Sequence, residues 1–282
     1  MLTILESINL SAEYLIKKGI ESPKLNAELL LAHVLQCKRL DLYLSFDKPL
    51  KDEEIKIYRE LLKRRSNFEP LQYILGSVEF YGLEFKVNNS VLIPRQETEV
   101  LVETIINFFP KENTFSFLDI GTGSGNIAIC LAKYFPQAFI TTIDVNQACI
   151  QLAKENAEGI GVLDRIEFLK ADINEFIHPN KFDVIVSNPP YVSSEEFQNL
   201  QPEIINYEPV DAVSDFSDGF KFYKLICEKA KSLLKTSGYL FFELGKGQST
   251  AVREIMENNN FQNILVKKDY LNIERVIYGE LS

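Results

Sequence analysis

From Ile4 to Arg65 the apolar residues return at helical intervals. Ile4, Ile8, Tyr14, Leu15 and Ile16 approximate one face of a first helix. A second helix follows Ser22-Pro23, where proline suits an opening position, and carries Leu25, Leu29, Leu30 and Val34. A third runs from Asp52 to Arg65 with Ile55, Ile57, Tyr58, Leu61 and Leu62, and its many charges read as a solvated face. From Val78 the period changes. Glu79 to Val87 places aromatic and β-branched residues around Gly82, which predicts a β-hairpin. Val91–Arg95 then leads into a helix from Glu97 or Thr98 to Phe109-Pro110.

Beyond Thr114, short apolar runs alternate with helical segments. Strands are predicted at Phe115–Ile120, Ala138–Asp144, Ile166–Leu169, Phe182–Ser187 and Gly238–Glu243, and helices at Gly125–Tyr134, Gln147–Glu158, Gly219–Leu234 and Gln248–Asn258. Such alternation predicts an α/β fold: a mostly parallel sheet with helices on both faces. The last two strands, Phe261–Lys267 and Glu274–Tyr278, have no helix between them and should pair as an antiparallel hairpin at one end of a seven-stranded sheet. The expected division is a small helical domain over 1–76, a β-hairpin linker over 77–95 and an α/β domain over 96–282.

Composition narrows the picture. The chain is 46% hydrophobic and 25% charged, as in ordinary globular proteins. Residues 1–90 hold 13 basic and 13 acidic side chains, so the net charge of −10 falls wholly on residues 91–282. An acidic second part argues against a broad phosphate-binding surface, and no direct nucleic-acid partner is expected. Cys37, Cys130, Cys149 and Cys227 form no CxxC, and His33 and His178 stand far apart. A metal site or a histidine-based triad therefore has little material, and the cysteines read as small buried hydrophobes. No secretory signal or run of about 20 apolar residues occurs, so a cytoplasmic protein without a membrane partner is expected.

Two constellations carry chemistry. The first is Asp119-Ile120-Gly121-Thr122-Gly123-Ser124-Gly125, between a predicted strand and a predicted helix. Its glycines let the backbone turn tightly and approach a ligand, and the helix start offers unpaired N–H groups. The spacing G-x-G-x-G differs from the G-x-G-x-x-G of dinucleotide dehydrogenases. Asp144 ends the next strand, 21 residues after Gly123, where a carboxylate can accept hydrogen bonds from both hydroxyls of a ribose. Asp172-Ile173, after the third strand, offers one polar and one apolar group to an adenine.

The second constellation, Asn188-Pro189-Pro190-Tyr191, follows the apolar strand Val184-Ile185-Val186-Ser187. Two prolines fix φ and remove two backbone donors, leaving the carbonyls of Asn188 and Pro189 as outward acceptors. The Asn188 side chain adds another acceptor, and the Tyr191 ring a flat stacking face. The cluster suits an NH₂ group on a planar system. An amide nitrogen is a poor nucleophile, and accepting its two protons enriches and orients it for attack on an S–CH₃ carbon. S-adenosylmethionine is thus the expected cofactor, with S-adenosylhomocysteine as product. Asn188, Pro189 and Tyr191 are the expected catalytic residues. Pro190 completes the substrate site, and Gly121, Thr122, Gly123, Ser124, Gly125, Asp144, Asp172, Ile173 and Asn188 make up the cofactor site.

These residues together resemble the class I methyltransferases that modify exocyclic or amide nitrogens. Glu69-Pro70-Leu71-Gln72-Tyr73-Ile74-Leu75-Gly76, Glu79-Phe80-Tyr81-Gly82 and Leu92-Ile93-Pro94-Arg95 with Glu97-Thr98-Glu99 narrow the resemblance to the peptide-chain release factor glutamine N5-methyltransferases. It covers essentially the whole chain. It implies a Rossmann-like methyltransferase sheet, methylation of the glutamine of the Gly-Gly-Gln motif, release factors as protein partners docked by the helical domain, and a monomer. Arg95 and Glu97 stand open between ordering the cofactor side and forming ion pairs. Gln96 replaces the proline usual after Ile-Pro-Arg, and Asn272 a usual glycine. A methyltransferase for another planar nitrogen, in a ribosomal-protein glutamine or a base amino group, is the competing reading. A non-enzymatic relative should have lost Asn188, Tyr191 or a loop glycine, and a dehydrogenase would need a different loop spacing.

Overall fold

The computed structural model describes residues 2–282 and divides them into two compact units. One comprises the chain up to Ser77 together with Gln201–Tyr207; the other comprises Val78–Leu200 and Glu208–Ser282. In chain order the first contains α1 (Ile4–Lys17), α2 (Pro23–Leu35), α3 (Arg39–Leu44), α4 (Asp52–Ser66) and α5 (Leu71–Leu75). Thr3 and Glu6 close a capping box at the start of α1, satisfying donors that the helix leaves open. In α4, Asp52, Glu53 and Glu54 occupy the first turn and Lys63, Arg64 and Arg65 the last, each end complementing the helix dipole. Ile4, Ile8, Leu15, Leu30, Leu31, Tyr58, Leu62 and Ile74 form the unit's core, and the Tyr58 hydroxyl donates to the Ala27 carbonyl (2.9 Å).

One expectation for α4 is corrected. Arg65 is not on the solvated face; it is 4% exposed. It stands three residues after Leu62 and seven after Tyr58, so helical periodicity carries it to the same inward stripe. Its Nε donates to Asn26 Oδ1 (2.6 Å), Nη1 to the Glu69 carbonyl (3.1 Å) and Nη2 to Glu203 Oε1 (2.5 Å). The Tyr207 hydroxyl donates to the Asn67 carbonyl (2.9 Å), so Gln201–Tyr207 is held to this unit at two points. Arg65→Ala strands these partners and should cost about 3 kcal/mol of stability. Amide hydrogen exchange across 201–207 should accelerate with it; protection equal to the parent's would refute the anchoring role.

The second unit begins at Val78, one residue into the hairpin of β1 (Ser77–Phe80) and β2 (Leu83–Lys86), and continues with α6 (Gln96–Phe108), β3 (Ser116–Ile120), α7 (Asn126–Tyr134), β4 (Phe139–Asp144), α8 (Gln147–Ile160), β5 (Ile166–Lys170) and β6 (Phe182–Ser187). Three short helices follow, α9 (Ser194–Phe197), α10 (Pro202–Tyr207) and α11 (Val210–Val213), of which α10 belongs to the first unit. The chain ends with α12 (Lys221–Leu233), β7 (Leu234–Glu243), α13 (Ser249–Glu257), β8 (Phe261–Lys268) and β9 (Glu274–Leu281). The sheet order is β5-β4-β3-β6-β7-β9-β8, parallel except where β9 runs against β7 and β8. This is a Rossmann-like seven-stranded sheet with the antiparallel hairpin at one end, as the sequence predicts.

Both faces of the sheet are covered. One core gathers Phe80, Phe85, Leu101, Ile105, Ile129, Leu131 and Phe241, so the hairpin expected as a linker contributes two buried rings to it. The other packs α12 and α13 through Tyr223, Ile226, Ala230, Val252 and Met256. Burial on two faces explains why Val184, Ile185 and Val186 read as a continuous apolar run rather than an alternation. The chain leaves β3 to one side for β4 and β5, and returns to the other side for β6. Open α/β sheets bind ligands beyond the carboxyl ends of the strands at such a switch point. Among the described residues no helix is long and apolar enough to cross a membrane.

Candidate active site

The topology brings both constellations to one place. β3 lies between β4 and β6, with Ile120 in register with Ile143 on one side and Ser187 on the other. The loops that leave these three strand ends carry Gly121–Gly125, Asp144 and Asn188–Tyr191. The Ser187 hydroxyl donates to the Ile120 carbonyl (2.8 Å), and the Thr142 hydroxyl to Asp119 Oδ2 (3.0 Å), tying the strand ends together. A cavity of about 640 Å³ opens there, within the range of small-molecule sites.

Its walls contain Gly121, Thr122, Gly123, Ser124, Asp144, Asp172, Ile173, Asn188, Pro189 and Pro190. Two residues expected in the site do not line it. Gly125 sits at φ 84°, and a Cβ there would meet Ile129 Cδ1 at 2.9 Å and the Ala153 Cβ at 3.0 Å, so it serves close packing at the start of α7. Tyr191 lies against the core of α12 and α13. Its hydroxyl donates to Glu243 Oε1 (3.2 Å), and its carbonyl accepts from Gln248 Nε2 (2.9 Å). The ring packed there supports the turn.

On the Gly-rich side, Gly123 adopts φ 54°, which aims its N–H at Asp144 Oδ2 (3.0 Å); the Asn146 N–H donates to Oδ1 (2.9 Å). Burial pushes the Asp144 carboxyl above the usual range, opposed by these two N–H groups and assisted by the charge of Asp211. Below the loop, burial pushes Asp119 up to about 6, against the Thr122 and Thr142 hydroxyls. Asp119 Oδ1 and Thr122 Oγ1 are buried without a hydrogen-bond partner among the described residues. Asp144, Asp172 and Asp211 give the cavity an acidic side, which suits a ligand with cationic groups.

On the other side, Asn188 Nδ2 donates to the Thr98 hydroxyl (3.2 Å). With its nitrogen engaged, the amide keeps Oδ1 as the acceptor for an incoming N–H. Periodicity placed Thr98 near a helix start without assigning it a role. The segment before α6 also supplies Ser90, Leu92, Pro94 and Arg95 to the wall, and Asp211 and Lys221 come from beyond α10. Glu208 fastens that segment: its carboxylate pairs with the Arg95 guanidinium and accepts from the Ile93 N–H (3.3 Å). Glu97 stands 3.6 Å from Arg275, so both residues left open by the sequence form ion pairs. No group of three or more potential metal ligands occurs among the described residues.

Comparison with known proteins agrees with this geometry. Residues 6–76 match the family model described as the PrmC N-terminal domain, and residues 111–276 match a methyltransferase domain. The release factor glutamine methyltransferase of Fusobacterium nucleatum is 41% identical over 98% of this chain and 78% of its own length. That of Geobacter sulfurreducens is 41% identical over 99% and 97%. The crystal structure of a Pyrococcus furiosus methyltransferase shares the fold at a TM-score of 0.51, with 18% identity over 71% of this chain and 90% of that one. With identity at this level running from the helical unit through the sheet, the chain belongs to the release factor glutamine methyltransferase family.

Proposed function

We propose that this protein transfers the methyl group of S-adenosylmethionine to the side-chain nitrogen N5 of the glutamine in the Gly-Gly-Gln motif of peptide-chain release factors: the N–C bond forms as the S–CH₃ bond breaks, and S-adenosylhomocysteine and one amide proton are released. The observation that carries the reading is the meeting of Gly121–Ser124, Asp144 and Asn188–Pro190 in one cavity. The cofactor supplies an electrophilic methyl carbon on a sulfonium. Its groups fit the residues present. Asp144 keeps lone pairs beyond the two N–H groups it already accepts, enough for a ribose diol. Asp172 and Ile173 offer a polar and an apolar contact for adenine, and the Gly121–Gly123 backbone admits the amino acid tail without Cβ obstruction.

On the substrate side, Asn188 Oδ1 and the Pro189 carbonyl accept the two N–H bonds of the glutamine amide. Holding both protons orients the nitrogen lone pair and restricts the amide to one approach, replacing a chance encounter by a positioned one. Pro189 and Pro190 fix the backbone that carries these acceptors. The helical unit docks the release factor, and the protein acts as a monomer in the cytoplasm, where its substrates are made. The acidic charge of residues 91–282 favours a protein over a nucleic acid as partner.

The test is methyl transfer from labelled cofactor to purified release factors, beside versions with Gln→Ala in the Gly-Gly-Gln motif. Label is expected only on the unaltered proteins. Equal labelling of both would sink the assigned target.

A further inference from the structure

The segment Asn188–Tyr191 cannot anchor its own middle. Pro189 and Pro190 carry no N–H, and their rings fix φ but leave ψ free, so the direction of the Pro189 carbonyl depends on what holds the two ends. Upstream, the Ser187 hydroxyl donates to the Ile120 carbonyl (2.8 Å) and Asn188 Nδ2 to the Thr98 hydroxyl (3.2 Å). Downstream, the first carbonyl after the prolines belongs to Tyr191, and it accepts from Gln248 Nε2 (2.9 Å). The Val192 N–H follows, donating to the Val213 carbonyl (3.1 Å). Gln248 stands at the start of α13, yet its side chain makes no hydrogen bond to its own helix start. It reaches 57 residues back along the chain instead.

The surroundings of Gln248 are shaped for this side chain. Its Oε1 accepts from the Gly245 N–H (3.0 Å), with the Tyr223 hydroxyl 3.2 Å away. A backbone N–H can only donate and a carbonyl can only accept, so these partners fix which end of the amide faces which. Nε2 also lies 3.5 Å from the Gly219 carbonyl. Both glycines leave the amide its room. A Cβ on Gly245 would fall 2.7 Å from Gln248 Oε1 and 3.0 Å from Tyr191 Cδ2. One on Gly219 would fall 2.7 Å from the Tyr191 carbonyl oxygen and 3.0 Å from Gln248 Nε2. A single amide thus joins the segments that follow β6, precede α12 and follow β7.

We propose that Gln248 is a positioning residue for methyl transfer: by holding the Tyr191 carbonyl it fixes the far end of the Pro-Pro turn, and with it the Pro189 carbonyl that accepts a substrate proton. The inference rests on the glutamine reading of the site and extends it to a residue outside the cavity. Gln248 is not among the residues that line the cavity, so its loss acts on the acceptor and spares the cofactor walls. Gln248→Glu separates the two ends of the amide. A carboxylate still accepts from the Gly245 N–H, but it offers the Tyr191 carbonyl no proton. Gly245→Ala breaks the same contact from the other side. Gly245 lies outside the left-handed region, so alanine there acts by displacing Gln248 and not through backbone strain.

The experiment measures kcat and KM for release-factor methylation, S-adenosylhomocysteine binding and Tm in the parent, Gln248→Glu, Gly245→Ala and the double variant. Each single substitution is expected to lower kcat roughly ten- to a hundredfold, with S-adenosylhomocysteine bound as tightly as by the parent. The double variant should be no slower than the worse single one, since both break the same contact. A structural role alone would lower Tm and leave the kcat of the folded enzyme unchanged. Parent-like kcat in Gln248→Glu, cofactor binding lost in step with kcat, or losses that multiply in the double variant would overturn the proposal. If Gln248→Glu fails to fold, Gly245→Ala decides by the same kcat and binding criteria. A parent that labels no release factor defeats the glutamine reading instead. The hold on the turn is then read without substrate, from amide hydrogen exchange at Val192. Exchange there should accelerate in both single variants, and protection equal to the parent's would overturn the role of Gln248.

Discussion

Asn188→Ala should lower kcat for methyl transfer by about a hundred- to a thousandfold, while S-adenosylhomocysteine binds nearly as it does to the parent. The substitution removes the side-chain acceptor that fixes one substrate proton, and it releases the Thr98 hydroxyl from the Asn188 side chain. The Pro189 carbonyl remains, so the amide can still enter, held at one point instead of two. Such a substrate spends most of its bound time misaligned, and the loss appears in turnover more than in affinity. Calorimetry with S-adenosylhomocysteine and single-turnover transfer to a release factor check the two halves separately. A collapse of cofactor binding would place Asn188 mainly in the cofactor site.

The second large effect belongs to Asp144. Its carboxylate both pins the Gly-rich loop, through the Gly123 and Asn146 N–H groups, and faces the cavity. Asp144→Ala removes the acceptor for a ribose diol and frees the loop from the conformation that Gly123 adopts at φ 54°. Charge-assisted hydrogen bonds are worth about 1.5–3 kcal/mol each, so cofactor affinity should fall at least about a hundredfold. Transfer should recover in part at high cofactor concentration, because the Asn188 side of the site is untouched. Parent-like affinity in Asp144→Ala would remove the carboxylate from the cofactor site.

The elements that repeat a period over many residues were legible in the sequence. β3, α7, β4, α8 and β6 stand within a residue or two of their expected places, and the two loops at their ends were readable because glycine and proline have distinct backbone effects. α9, α10 and α11 were not, because helices of four to six residues are too short to display a period. β7 begins at Leu234, four residues earlier than expected, in a polar stretch (Lys235, Thr236, Ser237) that reads as a turn. The same limit applies within the site. Thr98, Asp211 and Glu243 reach it or its support from three separate segments, and no local pattern joins them to Asn188. Glu243 did leave a trace, an acid closing the apolar run Tyr239-Leu240-Phe241-Phe242, and a charge in that setting is rarely idle. Tyr191 shows the limit from the other direction: its place beside Pro190 suggests a stacking ring, and only the folded chain shows its hydroxyl donating to Glu243.

The attachment of Gln201–Tyr207 to the helical unit has a consequence for how this chain can be cut and recombined. The polypeptide passes between the two units three times, after Ser77, after Leu200 and after Tyr207. A fragment ending at Ser77 would keep Arg65 and lose Glu203, leaving a guanidinium in the interior without its carboxylate. Grafting a foreign helical unit onto this sheet would join a new interior to an old clip. A single crossover between relatives at Ser77 would therefore part Arg65 from its Glu203 and should lower stability, because the seven-residue segment that completes the helical interior lies far from that boundary in the sequence.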